Sequence, residues 1–237
     1  ILSSEKYDNL YLKYFISFII TLLVVLLLAA QPDVGQTLLV FFSWSVLIFI
    51  SGVNVIFLIT SCLVLFIALF LSINFIPKFA YIKNRILSFF NTATGTHNAQ
   101  SEKAIDAINS GGYFGKGIGE GTLKIRVPEA HTDYIISVIS EEFGVIAIIL
   151  ILLLFLVFIY SVFKKVYLES EERTKLVLVG CISLILLQAM IHIGVNIRLF
   201  PTTGMTLPFI SYGGSSIISI SILSGIILNL TKRKISL

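Results

Sequence analysis

Residues 145–160 read VIAIILILLLFLVFIY, and the first charge after them is Lys164. Such a run is long enough to enter the ~30 Å hydrocarbon core of a bilayer as a helix, which takes about 20 apolar residues to cross. A second run, YFISFIITLLVVLLLAA at 14–30, has the same character. The whole chain is 57% hydrophobic and 13% charged, whereas soluble domains carry about 25% charged residues. Lipid offers the backbone no water to pair with, and an unbroken apolar run without the alternation of a barrel strand satisfies its own amides as a helix. The fold class is an all-α polytopic membrane protein.

Working outward from 145–160, six spanning helices are expected at 14–30, 34–52, 54–76, 136–163, 176–197 and 213–230. They group as three spans within 1–77, a large loop at 78–135, and three more spans within 136–237. The first three are joined by short turns, QPDVG at 31–35 and SGV at 51–53. In the first, Pro32 and Gly35 shape the turn, and Asp33 suits the N-cap of the following helix. The chain starts at Ile1 with no basic n-region and cleavage site, and reads as a piece of a longer protein. Cys62 and Cys181 lie inside apolar runs as small packing residues, and the net charge of +4 gives no reason to expect nucleic acid.

The positive-inside rule orients the bundle. Residues 1–13, 164–175 and 231–237 would share one side with nine Lys/Arg, and the long loop with 198–212 the other with eight. The nine are packed into about half as many residues, and KK at 164–165 and KRK at 232–234 abut helix ends. The termini are therefore expected inside and the 78–135 loop outside.

Within that loop, NAQSEKAIDAINSGG (98–112) suits a short amphipathic helix with Ala104, Ile105 and Ile108 on one face, Ser101 as N-cap and Gly111 as C-cap. The glycine-rich GGYFGKGIGEG (111–121) fits neither nucleotide-binding fingerprint. Two readings remain for it: a flexible turn over the membrane surface, or a backbone that closely approaches a ligand beside Lys116, Lys124 and Arg126.

Polar residues then crowd the threshold of the fourth span, in PEAHTDYI at 128–135. From Asp133, helical spacing places Ser137, Ser140, Glu141 and Gly144 on one face, with Glu141 roughly 12 Å further along the axis and Glu142 beside it. Ionisable groups at such depth usually face a cavity or a partner, so a hydrated groove is expected here. Gln188, His192 and Asn196 form a second stripe, for which hydrogen bonds between helices are the plain explanation. LFPTTGMTLPFISYGGSS (199–216) combines prolines, glycines and hydroxyls in a stretch too apolar for an ordinary loop, as a partly re-entrant segment packed on the bundle would.

QPDVG, GKGIGEGTLKIRVPEAHTDYIISVISEEFG (115–144) and LFPTTGMTLPFISYGGSS, in this order, resemble signature blocks of the SEDS family (shape, elongation, division and sporulation). PEAHTD, EGTLK and TLPFISYGGSS are closer to its division branch, FtsW, than to its elongation branch, RodA. The resemblance implies ten spanning helices, of which these six would be the fifth to tenth, with both termini cytoplasmic. It departs at Tyr134, where the family usually has Phe, at Ser140, often Gly, and at Thr203, often Lys, so that no role of that lysine carries over.

The resemblance implies a bacterial peptidoglycan glycosyltransferase, multi-pass in the cytoplasmic (inner) membrane at the division site, that polymerises lipid II on the outer face. Its essential aspartate matches Asp133, a base for the attacking sugar hydroxyl. Candidate substrate contacts are Glu129, His131, Lys116, Lys124, Arg126, Glu141, Glu142, Ser211 and Gly213. The three cations equally suit binding to anionic headgroups, and the two glutamates equally suit helix packing. A divalent cation (Mg or Mn) is the one cofactor such a reaction suggests. Expected partners are lipid II, a class B penicillin-binding protein transpeptidase, other division proteins and membrane lipids. A lipid II flippase, or a scaffold of the division machinery, are the competing functions. Without the upstream helices this chain is expected to be inactive.

Overall fold

The structure is a computed structural model that describes residues 2, 9–31, 33–90 and 96–232. Pro32, the segment 91–95 within the long loop, and the basic tail from 233 lie outside the described residues. All six expected spans are helices: α1 (Leu10–Ala30), α2 (Val34–Ile50), α3 (Val55–Phe75), α6 (Ile135–Leu168), α7 (Glu172–Asn196) and α8 (Gly214–Thr231). Five are long and apolar enough to cross a membrane, and α2, at 17 residues, is somewhat shorter. Two further helices, α4 (Ala80–Phe90) and α5 (Thr96–Gly111), lie in the long loop.

The chain forms two compact units. The first holds α1–α3, the ends of α6 and α8 and the start of α7. Polar caps begin its helices, since the first amides of a helix have no partner within it. Asp33 accepts from the Gln36 amide at 3.0 Å, as expected of a cap, and Asn54 accepts from Ile56 at 2.9 Å. Tyr14, Val25, Trp44, Ile48 and Leu65 form its core. The polar tips there find partners, with Trp44 donating to Ser17 Oγ at 2.9 Å and Ser43 meeting Ser183 at 3.1 Å.

The second unit comprises residues 84–161 and 188–222. Its core gathers Ile136, Ala189 and Leu207, with Ile108, Ile148, Phe155 and Ile193 packed on them. Helix α5 corrects the expectation for 98–112. It starts at Thr96, and Ser101 is a buried residue of its inner face, with Ala104 and Ala107, rather than its N-cap. Helix α4 was not foreseen. The segment 197–213 is irregular, as its composition suggested, with Thr203, Met205, Leu207 and Ser211 buried.

Candidate functional site

Asp133 closes a tight turn that begins at Glu129. Glu129 adopts φ +55°, a left-handed conformation uncommon outside glycine. Its carbonyl thereby accepts from the amides of Thr132 (3.1 Å), Asp133 (3.0 Å) and Tyr134 (3.3 Å), so the next three residues fold back over it. The carbonyls of residues 131–133 are each held from outside the turn. His131 O accepts from the Tyr212 amide at 3.1 Å, Thr132 O from Ser211 Oγ at 2.8 Å, and Asp133 O from Asn196 Nδ2 at 3.0 Å. Helix α7 and the irregular segment thus clasp the backbone that carries Asp133.

The irregular segment is itself pinned by the polar stripe of α7. Gln188 Nε2 reaches Thr206 O (3.0 Å), Thr206 Oγ1 (3.2 Å) and Ser216 Oγ (3.1 Å). His192 Nδ1 lies 2.6 Å from Met205 O, and a carbonyl can only accept, so Nδ1 carries the proton. Ser211 Oγ also accepts from Leu207 N at 2.8 Å. The stripe read as ordinary interhelical bonding therefore serves a loop and, through Asn196, the Asp133 turn.

The Asp133 side chain is half-buried, and a carbon placed on Gly204 would lie 3.6 Å from its Oδ2. Partial burial raises its pKa above the ordinary 3.8, and the nearby Glu129 carboxylate raises it further. The Thr132 hydroxyl and the Arg85 guanidinium pull it back. Arg85 stands on α4 and donates to Thr202 O at 3.2 Å. Sequence reasoning missed it as a site residue, because without α4 it was one loop charge among seven.

The other candidates form a separate knot along α6. Gly144 takes φ +79° and ψ 177° inside that helix, which breaks the bonds that Val145 and Ile146 would make to Glu141 and Glu142. The glycine-rich loop replaces them. Lys116 N donates to Glu141 O at 2.9 Å and Gly117 N to Glu142 O at 3.0 Å. Val145 N donates to Gly112 O at 3.0 Å and Ile146 N to Tyr113 O at 3.3 Å. The approach is so close that a β-carbon on Gly115 would lie 2.2 Å from Glu142 O. The glycines do serve a close backbone approach, but to α6 itself.

Side chains complete the knot. Glu141 is fully buried, and its carboxylate accepts from the amides of Thr122 (2.9 Å), Leu123 (2.9 Å) and Lys124 (2.7 Å) while pairing with Lys116 at 3.3 Å. Glu142 pairs with Lys124 and accepts from Gly119 N at 3.2 Å. The hydrated groove expected at Glu141 is thus occupied by the loop.

Among the remaining candidates, Arg126 and the His131 side chain are exposed. Gly213 faces Thr206, whose Cγ2 would lie 3.0 Å from an added β-carbon. Among the described residues no group of three or more His, Cys, Asp or Glu forms a metal-ligand set. Glu129, whose charge acts on Asp133, is the one carboxylate that shares its turn.

The profile of the FtsW, RodA and SpoVE cell cycle proteins matches residues 2–235. The chain belongs to this family. It is 37% identical over 220 residues to the probable peptidoglycan glycosyltransferase FtsW of Caulobacter vibrioides, covering 92% of this chain and 55% of that protein. It is 34% identical over 224 residues to the protein of the same name in Trichlorobacter lovleyi, covering 92% and 57%. The chain thus spans a little over half the length of these relatives. Among solved structures, it superposes with a TM-score of 0.73 and 27% identity on a chain of a peptidoglycan synthase complex that coordinates polymerization and crosslinking, covering 98% of this chain and 63% of that one. A mutant of the rod shape determining protein RodA of Thermus thermophilus gives a TM-score of 0.61 at 26% identity, covering 96% and 58%. The SEDS motifs and the family profile agree, and the protein is a multi-pass membrane protein of this family.

Proposed function

We propose that this chain belongs to a peptidoglycan glycosyltransferase that polymerises lipid II at the outer face of the bacterial cytoplasmic membrane during division. The observation that carries the reading is the Asp133 turn, whose three carbonyls are fixed by Tyr212, Ser211 and Asn196. A base must be held in one place against its substrate, and fixed geometry is where much of such a rate enhancement lies.

The sugar 4-hydroxyl attacks the anomeric carbon of a second lipid II. As the new C–O bond forms, the hydroxyl proton passes to the Asp133 carboxylate, and the old C–O bond breaks to release the polyprenyl pyrophosphate with its electron pair. A positioned base contributes about 10²–10⁴-fold to such a step, and a pKa above the ordinary carboxylate value suits the role. Arg85, which already acts on Asp133, is the cation best placed to offset charge developing nearby.

A flippase would need the intramembrane polar groups Glu141 and Gln188 to line a path across the bilayer. Both side chains are engaged by the loop and by Thr206 and Ser216, which removes that support. A class B penicillin-binding protein transpeptidase is the proposed partner, in keeping with the likeness to a chain of a synthase complex. The test is polymerisation of lipid II by the intact protein with that partner, comparing wild type with Asp133→Asn. Glycan chains from wild type and none from a folded variant support the assignment. Equal product from both removes Asp133 as the base.

A further inference from the structure

Tyr113, Phe114, Ile118 and Ile125 are 76%, 83%, 78% and 81% exposed, although none lies in a spanning helix. Large apolar side chains scattered singly on a surface are ordinary, but four within thirteen residues of one loop call for an explanation. The height of the loop supplies it. Its carbonyls at Gly112 and Tyr113 accept from Val145 N and Ile146 N, the first two residues of the apolar run on α6. From 145 to 163 that run has nineteen uncharged residues before Lys164, about the number a bilayer core requires. Its first residues therefore mark the edge of the hydrocarbon, nine residues later than the 136–163 span read from the sequence, and the loop bonded to them lies at that edge. Phe143 and Ile146 are exposed on the same stretch of α6, so the apolar surface of the span continues onto the loop.

We infer that residues 113–125 form a membrane-seated finger, with Tyr113, Phe114, Ile118 and Ile125 inserted into the leaflet on the loop's own side. The charges around it fit that setting. Glu141 and Glu142 would be costly beside lipid, and they are neutralised by Lys116 and Lys124 and by loop amides. Exposed Arg126, next to Ile125, is left at the height of the headgroup phosphates. The finger would hold the Glu141–Ile146 stretch of α6 at a set depth, and the occupant of its apolar face is lipid rather than protein.

The test places a nitroxide at Phe114→Cys or Ile118→Cys, one at a time, in the full-length protein freed of other cysteines, purified without partners and reconstituted in phosphatidylglycerol-containing nanodiscs. Collision with oxygen and with Ni-EDDA then reads depth, with Ile149→Cys as the lipid-facing control and Glu120→Cys as the water-facing one. Labels at 114 and 118 are expected to favour oxygen over Ni-EDDA, like 149, at a depth of about 5–10 Å. Labels that behave like 120 would overturn the inference and leave a water-facing apolar surface for a protein partner. Labels shielded from both reagents would also overturn it, since the finger would then pack on the protein itself. Should the cysteine-free background fail to fold, quenching of Phe114→Trp emission by brominated lipids, with the parent's signal subtracted, decides the same question. Quenching supports insertion, and its absence refutes it.

Discussion

The Asn196 side-chain amide donates 3.0 Å to the backbone carbonyl of Asp133 and 2.9 Å to His192 O, tying the proposed base to helix α7 from 63 residues away. Neither bond touches the Asp133 carboxylate. Asn196 is therefore a positioning residue, and its loss should relax the turn without removing the base. Asn196→Ala is expected to lower kcat about tenfold, a change equivalent to one hydrogen bond of about 1 kcal/mol plus some misplacement of the base. KM and the thermal midpoint should change little, because a buried Asn196 Oδ1 without a partner disappears as well. Steady-state polymerisation with a melting curve checks this. An unchanged kcat would mean that Tyr212 and Ser211 hold the turn alone.

Ser211 should behave differently. Its hydroxyl accepts from Leu207 N and donates to Thr132 O, both at 2.8 Å, and it is buried. Ser211→Ala strands two backbone groups at once, at about 1–3 kcal/mol each. Loss of stability as well as of activity is expected, visible as a lowered midpoint in thermal unfolding. Ser211→Thr, which keeps the hydroxyl, should recover part of both.

The raised pKa of Asp133 has consequences of opposite sign for rate and stability. The base works only when ionised, so activity should fall as pH drops through a value above 3.8, and the acid limb of kcat/KM should sit higher than for an ordinary aspartate. Stability runs the other way. The folded protein holds this proton more tightly than the unfolded chain, so the charged carboxylate is a burden that appears above the unfolded pKa and vanishes below it. Asp133→Asn should then be at least as stable as wild type at neutral pH, with the difference closing in acid. A variant clearly less stable at pH 7 would show that the carboxylate is a structural anchor.

The spans were legible because nothing else in a protein demands such long uncharged runs, and Asp33 was legible because capping is local. Helix α4 was missed although Ile82, Ile86, Phe89 and Phe90 recur at helical spacing, because its eleven residues are far too short to be a span, and Arg85 was lost with it. Asp133 stood out through its motif, whereas the reasons it is held in place lie in backbone carbonyls that no side-chain pattern records. The same holds for Glu141. Its position on a polar stripe suggested a groove, but its partners are the amides of residues 122–124. The glycines left a flexible turn and a close approach to a ligand both open, and the approach the structure shows is to α6 instead.

Glu141 and Glu142 are neighbours with unequal tasks. Glu141 gathers three amides and Lys116, while Glu142 holds Lys124 and one amide. Hydrogen bonds to a charged group are worth about 1.5–3 kcal/mol each, so Glu141→Ala, which strands four partners against two, should cost about twice what Glu142→Ala does. Hydrogen exchange separates them. The amides of 122–124 should lose protection in the first variant and keep most of it in the second. Equal effects would show that the knot depends on the two charges rather than on the acceptor geometry of Glu141.

Gly144 tests the knot from the other side. An L side chain there meets φ +79°, and its β-carbon would lie 2.2 Å from Tyr113 O. Gly144→Ala can relieve the clash only by closing the helix, which restores the bonds from Val145 and Ile146 to Glu141 and Glu142 and expels the loop. Backbone strain of this kind costs about 1–3 kcal/mol before any clash is counted. The variant should therefore keep its helical content while residues 112–124 become open to protease and to exchange. Polymerisation should fall with them, because α6 also carries the Asp133 turn at its start. A variant whose loop stays protected would mean that the Gly144 break is not what seats the loop on α6.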